Sequence, residues 1–143
     1  MEILPITLTF AGVAGLMNIW LGWRVGQVRI SEKVLTGDGG NLRVTCRMRA
    51  HANYIEYTPF VLILIASIEL AGGWPLALWV VGAFYFFARI AHAFGMDANY
   101  PSKARQIGII VTMLVLLGLS IWALVLSYDA PRAVEGPAEM RSI

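Results

Sequence analysis

The sequence predicts an all-α integral membrane protein built as a single bundle of four transmembrane helices. Composition is the first observation behind this prediction: 58% of the 143 residues are hydrophobic and 14% are charged, whereas roughly a quarter of the residues in a soluble domain are charged. The second observation is that the apolar residues fall in long runs. About 20 apolar residues are enough to cross a hydrocarbon core of about 30 Å.

Three apolar blocks contain the four predicted helices. Ile3 to Trp23 and Ile107 to Tyr128 carry no charged residue, and each is long enough for one span. The block from Tyr57 to Ala88 carries a single charge and is too long for one span. Its Gly-Gly-Trp-Pro sequence at 72–75 is typical of a turn, so this block is predicted to form two helices. A secretory signal peptide would instead need a basic segment before the first run, where the chain is acidic.

The bounds of the elements follow from these runs. Residues 1–128 are predicted to form the transmembrane domain, and residues 129–143, with two prolines and charges of both signs, a poorly ordered polar tail. Small residues at 11, 15, 22 and 26 permit close packing of helix 1 against another helix or subunit. The predicted helices are Ile3–Val25, Arg43–Ala71, Pro75–Met96 and Pro101–Tyr128.

The distribution of positive charge predicts the orientation in the membrane. With four spans, the connections between helices 1 and 2 and between helices 3 and 4 lie on one side, and both termini lie on the other. Nine of the 11 lysines and arginines lie beside the two connections, which would therefore be cytoplasmic by the positive-inside rule. A role as topology signals or lipid-headgroup anchors is enough to explain four of these residues, namely Arg24, Lys33, Arg43 and Arg47. The nine residues are Arg24, Arg29, Lys33, Arg43, Arg47, Arg49, Arg89, Lys103 and Arg105.

Polar residues at the start of helix 2 form one stripe. Arg49, Asn53 and Glu56 follow i, i+4, i+7 spacing and therefore share one side of the helix. His51 lies about 200° from Arg49 around the helix and points elsewhere. Glu56 lies inside the apolar region, where an unpaired carboxylate is costly. These residues would either bind a ligand or form a self-contained ladder that joins helix 2 to its neighbours.

The end of helix 3 and the start of helix 4 place further cations at the same membrane face. Arg89 and His92 are spaced i, i+3 and share one face. As alternatives to a functional role, the arginine would snorkel to the membrane surface and the histidine would be a hydrogen-bonded packing residue. Ser102, Lys103 and Arg105 fall in the first turn of helix 4. Because a helix N-terminus is already positive, cations placed there create an anion site. The positive-inside rule is again the alternative explanation for the two cations.

These groups together predict a cationic pocket with one carboxylate, suited to a ligand with two carboxylates and one ammonium group. A second, hydrophobic substrate would enter from the lipid. The sequence contains no metal-ligand spacing, phosphate-binding glycine loop or Ser-His-Asp arrangement, and nothing in so apolar a chain supports a nucleic-acid partner. The single cysteine, Cys46, excludes an intrachain disulfide and is interpreted as a packing residue, not a nucleophile.

Three short motifs occur in order along the chain. They are Gly-Gln-Val-Arg at 26–29, Arg-Ala-His-x-Asn-x-x-Glu at 49–56, and Ala-Arg-x-Ala-His at 88–92 followed by Arg105. In sequence and spacing they resemble the motifs of the MAPEG family, the membrane-associated proteins in eicosanoid and glutathione metabolism, and the resemblance extends from about Ile3 to Tyr128. It implies a four-helix subunit, a homotrimer, and glutathione bound between neighbouring subunits near the cytoplasmic face.

The resemblance also implies roles for individual residues. Arg105 would be the catalytic residue that stabilises the glutathione thiolate. The chemistry agrees, because a guanidinium group stays charged and lowers the pKa of a nearby thiol from its usual value of about 8.5. Glu56 would suit the ammonium group of the peptide. The glutathione-binding residues would be Arg29, Arg49, Asn53, Glu56, Arg89 and His92.

Departures from the eicosanoid-forming members narrow the predicted activity. Ala52 stands where some of those members have a second helix-2 arginine, and Met96 stands where they have a pocket tyrosine. Gln106 takes the position of a serine, and Ile109 that of an aromatic residue. These differences argue against prostaglandin or leukotriene synthesis. They favour a glutathione transferase or peroxidase that conjugates hydrophobic electrophiles or reduces lipid hydroperoxides.

Two alternatives to an enzyme remain open at this point. The first is a non-catalytic member of the family that binds lipid or a partner protein through the same pocket. The second is a small transporter or proton relay that uses Glu56 and His92. That class is disfavoured because the sequence shows neither repeat symmetry nor a broken midplane helix.

Overall fold

Four helices form the whole of the secondary structure in the described part of the chain. The computed structural model describes residues 3–98 and 102–135, with side chains up to Asp129 in the last helix. All four helices are long and apolar enough to cross a membrane, which confirms the predicted fold class. They are α1 (Pro5–Ser31), α2 (Leu42–Leu70), α3 (Pro75–Asp97) and α4 (Lys103–Glu135).

The first helix is longer than the sequence predicts, whereas α2 and α3 begin and end within one residue of their predicted bounds. α1 continues past Val25 and ends at Ser31. The reason is that Arg24 and Val28 are both buried against neighbouring helices, with 6% and 1% of their surface exposed. Burial therefore extends beyond the end of the uncharged run from which the helix was predicted.

The last helix also extends beyond its predicted end. α4 continues past Tyr128 to Glu135, so the first residues of the predicted polar tail are helical. Pro101, the predicted first residue of this helix, and residues 136–143 of the tail lie outside the described residues.

α2 and α3 are central to the bundle, because each of them contacts all three other helices. α3 and α4 form the most extensive pair, and α1 and α4 scarcely touch. Three glycines permit the closest approaches, because a Cβ atom would collide with the facing helix. Gly95 lies against the backbone at the start of α4, Gly108 against His92, and Gly82 against the ring of Phe10. These contacts fix the position of α3 between α1 and α4.

A carboxylate fastens the end of the bundle that carries the α2–α3 turn. Glu69, near the end of α2, accepts hydrogen bonds from the backbone N–H groups of Ile6 and Thr7, at 2.9 and 2.8 Å, and from the Thr7 hydroxyl at 2.6 Å. It thereby caps the N-terminus of α1, where N–H groups lack partners within the helix.

The opposite end, which carries the 32–41 loop, the end of α3 and the start of α4, is called the cationic end below. Its loop is held by Asp38, whose carboxylate accepts from the Gly40 N–H at 3.0 Å and the Thr45 hydroxyl at 3.1 Å. These hydrogen bonds hold the pKa of the Asp38 carboxyl below its usual value. Asn41 then caps α2 by accepting from the N–H groups of Arg43 and Val44.

An ion-pair cluster joins three helices at the cationic end. Asp97, near the end of α3, pairs with both Arg24 of α1 and Arg47 of α2. The Arg24 guanidinium also lies over the rings of Trp20 and Phe94. Both arginines therefore have a structural role in addition to the topology role that the sequence predicts for them.

Candidate functional site

The predicted site residues of α2 and α3 meet in a buried polar network. Arg89 is 1% exposed, and its guanidinium donates a hydrogen bond to the Asn53 side-chain oxygen at 2.8 Å. The same group reaches the Thr112 hydroxyl of α4 at 3.4 Å and lies 5.8 Å from the centre of the Tyr54 ring. A buried cation is tolerated only when neighbouring groups satisfy it. Arg89 is therefore an interior residue that joins three helices and does not snorkel to the membrane surface.

His92 lies one turn further along α3 and is also buried, with 2% of its surface exposed. Its backbone and Cβ pack against Gly108, one turn after Arg105 on α4. Gly95, three residues further along α3, packs against the backbone of Arg105. α3 and α4 thus bring three of the predicted site residues into one region.

Two buried polar atoms in this region have no hydrogen-bond partner among the described residues. They are Nε of Arg89 and Nδ1 of His92. Buried polar groups are nearly always satisfied, so unsatisfied ones in one region require an explanation. A ligand or an ordered water molecule that accepts or donates at these atoms would supply it.

The stripe on α2 is divided by the structure. Asn53 faces α3, while Arg49 and Glu56 are exposed on the outside of the subunit. Within the described ranges, neither Arg49 nor Glu56 makes a hydrogen bond or an ion pair with another side chain. The self-contained ladder that the sequence left open is therefore wrong for this chain, because Asn53 bonds to Arg89 instead.

His51 and Arg29 lie apart from this network. His51 Nε2 lies 2.8 Å from the Asn18 side-chain oxygen of α1, which confirms that it points away from the stripe. Arg29, in the last turn of α1, donates to the Leu35 carbonyl at 3.2 Å and lies 3.2 Å from the sulfur of Met48. The chain by itself does not bring Arg29 to the other predicted binding residues.

The start of α4 has the predicted arrangement of a hydroxyl and two cations. The Ser102 hydroxyl accepts from the Arg105 N–H at 3.4 Å, and its carbonyl accepts from the Gln106 N–H at 3.2 Å. Lys103 is exposed, whereas Arg105 is half-buried. Of the two cations in this turn, Arg105 is therefore the one that faces the protein interior.

A cavity of about 530 Å³ opens beside Arg105 at the cationic end. Most of its walls come from residues that the sequence analysis did not assign to a site, namely the first turns of α2 and the last turn of α3. The sequence could not predict this cavity, because the start of α2 and the end of α3 are far apart in the chain and meet only in the folded structure. The lining residues are Leu42, Arg43, Cys46, Arg47, Gly95, Met96, Asp97, Ala98, Ser102 and Arg105.

Comparison with known proteins places these features in context. The sequence profile described as "MAPEG family" matches residues 7–125. The chain is also 24% identical over 112 residues to the inner membrane protein YecN of Escherichia coli K12, an alignment that covers 78% of this chain and 85% of YecN. YecN of Escherichia coli O6:H1 strain CFT073 is similar to the same extent.

Proposed function

Because the chain belongs to the MAPEG family, we propose that this multi-pass membrane protein is a glutathione-dependent enzyme. It would conjugate glutathione to hydrophobic electrophiles or use it to reduce lipid hydroperoxides. The observation that carries the proposal is the buried network of Asn53 and Arg89 beside His92, next to the helix turn that contains Arg105. Residues of two of the three family motifs contribute to it.

The available groups fit glutathione, which carries two carboxylates, one ammonium group and one thiol. Arg49 and Glu56 are exposed and make no ion pair in the described part of their own subunit, so a guanidinium and a carboxylate are available for the charged ends of the peptide. The unsatisfied Nδ1 of His92 adds a polar contact. Arg29 would contribute from a neighbouring subunit, since within its own chain it binds the 32–41 loop.

Glutathione would supply the nucleophilic sulfur of the reaction. Arg105 would lower the pKa of that thiol by favouring the charged form, and each unit of such a shift corresponds to about 1.4 kcal/mol. Arg89 would act as a positioning residue, because it is buried and holds the Asn53 amide in place. The hydrophobic substrate would reach the sulfur from the surrounding lipid.

Features of the subunit surface support a homotrimer with the site between subunits. Arg49 and Glu56 are exposed on helices that otherwise face hydrocarbon, where uncompensated charges are costly. On α1, a Cβ atom added at Gly15 or Gly26 would meet no atom of the other described helices within 4 Å. A neighbouring subunit packed on these surfaces would cover both. By the positive-inside rule the cationic end would face the cytoplasm, and the similarity to YecN favours an inner membrane.

The thiolate absorbance of bound glutathione tests the proposal. We expect ultraviolet difference spectra of the purified protein with glutathione to show a thiolate band at neutral pH. The Arg105→Ala variant should lose most of this band, because the pKa of the bound thiol would rise. Each unit of that rise would leave roughly tenfold less thiolate. The matched control is Lys103→Ala, which removes an exposed cation from the same turn and should retain the band.

The outcomes separate the enzyme from its alternatives. A thiolate band that depends on Arg105, together with turnover of a model electrophile or hydroperoxide, supports the proposal. Tight glutathione binding without thiolate or turnover would instead support the non-catalytic binding protein. Absence of glutathione binding would exclude both.

A further inference from the structure

The most exposed large apolar side chains among the described residues lie around the 32–41 loop, not on the faces of the membrane-spanning helices. Leu35 in the loop is 93% exposed, Ile30 at the end of α1 is 82% exposed and Leu42 at the start of α2 is 75% exposed. No other large apolar side chain in the described ranges exceeds 73%. Single exposed leucines are ordinary in proteins, but three such residues around one loop form a candidate contact surface.

The loop is held in a defined shape that leaves Leu35 on its outside. The Arg29 guanidinium donates to the Leu35 carbonyl at 3.2 Å, and the Val34 N–H donates to the Arg29 carbonyl at 2.9 Å. The Val34 side chain packs against Gly39, where an added Cβ atom would lie 3.0 Å from it. Val34 therefore fills the interior of the loop, and its apolar neighbour Leu35 remains uncovered.

Lys33 stands at a position that favours glycine. Its φ is 56°, and it is the one non-glycine residue with positive φ in the described part of the chain. Glycine is the usual residue just after the end of a helix, because an L side chain is strained in this conformation. The Lys33 side chain is exposed, and its ammonium group makes no hydrogen bond or ion pair within the described ranges. Strain without a compensating contact in the fold points to a role outside it.

α1 carries the loop to the level of the lipid headgroups. Trp23 is the last residue of the uncharged run, and Ile30 follows seven residues later. At 1.5 Å of rise per residue this separation is about 10 Å along the helix. The headgroup layer begins where the hydrocarbon core ends, so the end of α1 lies in or beside that layer.

The charges of the loop and its flanks suit a surface of phosphate groups. Glu32 forms an ion pair with Arg43, so these two charges compensate each other. The remaining charges are those of Arg29 and Lys33 against the single carboxylate of Asp38, which leaves one net positive charge. A phospholipid surface offers phosphates for this charge and, directly below them, an apolar layer for the exposed side chains.

From these observations we propose that the 32–41 loop docks on the phospholipid surface of the protein's own bilayer. Leu35, flanked by Ile30 and Leu42, enters the boundary between headgroups and acyl chains, and Lys33 binds lipid phosphate. The contact continues the lipid-facing surface of α1, where Trp23 is 61% exposed. It is separate from the proposed glutathione site, because neither Leu35 nor Lys33 belongs to that site.

A fluorophore beside Leu35 measures the docking. The environment-sensitive dye NBD is attached to Thr36→Cys in the full chain, with the single native cysteine removed by Cys46→Ser. Thr36 is exposed and adjacent to Leu35, so the leucine itself stays intact. In phosphatidylcholine nanodiscs, iodide quenches a dye in water, whereas a phosphatidylcholine with a nitroxide close to its headgroup quenches a dye in the lipid surface. We expect strong quenching by the nitroxide lipid and weak quenching by iodide.

Leu35→Ala tests the apolar part of the contact. The substitution removes three carbon atoms, and each buried methylene changes the partition into an apolar layer by a factor of about four. The ratio of docked to undocked loop should therefore fall by roughly tenfold or more, whereas Leu35→Ile should retain docking. The matched control is Leu124→Ala, which shortens a leucine of α4 that is 71% exposed and should leave both kinds of quenching unchanged.

Lys33→Gly separates a lipid contact from a role in the fold. Because glycine adopts positive φ without strain, this variant should have a higher melting temperature, yet it should show weaker quenching by the nitroxide lipid. Lys33→Arg keeps the charge and should retain that quenching. A glycine variant that is quenched as strongly by the lipid as the unaltered loop would overturn the role proposed for Lys33.

The remaining outcomes decide whether the loop docks on lipid. Strong quenching by iodide would overturn the proposal, since the loop would then lie in water. Weak quenching by both agents would also overturn it and would indicate that a second copy of the chain covers the loop. Lipid quenching that is unchanged in Leu35→Ala would exclude the proposed apolar contact. A glutathione thiolate in a protein whose loop lies in water would contradict this inference alone, and a docked loop without a thiolate would contradict the proposed enzyme alone.

Discussion

Individual arginines of this chain have different environments, although their positions in the sequence look equivalent. Arg24 and Arg89 are buried, with 6% and 1% of their surface exposed, whereas Arg49 is exposed. Helical periodicity predicted which residues share a face of one helix. The partners that distinguish these arginines, such as Asp97 and Thr112, belong to other helices, and sequence spacing cannot reveal them.

Glu69 provides the residue-scale prediction. Its carboxylate accepts three hydrogen bonds at the start of α1, so Glu69→Ala should leave backbone donors unsatisfied. By analogy with N-cap replacements, the expected loss is about 1–2 kcal/mol, equivalent to a fall of several degrees in the melting temperature. Thermal unfolding in detergent measures it. Ser67→Ala is the control, because among the described residues the Ser67 hydroxyl bonds only to the carbonyl of Ile63 within α2. Equal melting temperatures for the two variants would contradict the role of Glu69.

Helix packing depends on glycines that composition alone does not distinguish. Gly95 and Gly108 lie where α3 and α4 approach most closely, and Gly82 accommodates Phe10. The sequence drew attention instead to small residues on α1, yet Gly15 and Gly26 have open space around them in this subunit. Which residue lies against a glycine depends on how two helices pack together. The periodicity of one helix therefore predicts which of its residues share a face, but not which helix packs on that face.

At the scale of the helix pair, Gly108→Ala tests this packing. The added methyl group would lie 2.6 Å from the Cβ of His92 and 2.7 Å from the Ala88 carbonyl oxygen. Overpacking of this kind typically costs about 1–3 kcal/mol, and displacement of α4 should also weaken the thiolate band by moving Arg105. The Cβ atom of Gly118→Ala on the same helix would meet no other described helix within 4 Å. This variant should be neutral or stabilising, since alanine is more favourable than glycine in a helix by up to about 1 kcal/mol. A Gly108→Ala protein as stable as Gly118→Ala would show that α3 and α4 do not pack so closely.

The whole molecule leaves charged and small residues uncovered on the outside of its bundle. Arg49 and Glu56 of α2 are exposed, and a Cβ atom added at Gly15 of α1 would meet no other described helix within 4 Å. In a soluble protein exposed charges need no explanation, but these lie on helices that are apolar enough to span a membrane. A subunit of this shape is expected to be complete only in an assembly.

Oligomeric state is therefore the prediction at this scale. We expect native mass spectrometry in detergent to give three times the mass of one chain. Gly15→Leu should shift the protein towards smaller species, because a large side chain would obstruct a close helix contact between subunits, whereas Gly15→Ala should remain assembled. A Cβ atom added at position 15 meets no described neighbour within 4 Å, so Gly15→Ala controls for the loss of the glycine itself. A monomer for the unaltered protein, or full assembly of the leucine variant, would contradict the expected interface.

The sequence by itself determined the features that depend on local pattern. Long uncharged runs defined four membrane-spanning helices, and the motif at 49–56 identified the family before any contact was known. Helical spacing also separated His51 from Asn53 correctly. These properties depend on residues within one helix, whose geometry is fixed by the backbone.

Only the tertiary structure decided how residues from different helices combine. It ended α1 at Ser31 because buried side chains continue beyond the apolar run. It paired Asn53 with Arg89 and thereby excluded the ladder, and it brought Arg43, Cys46 and Arg47 to a cavity beside Arg105. The physical reason is that ion pairs, close glycine contacts and cavities arise where separate elements meet, and their geometry is set by packing, not by separation along the chain.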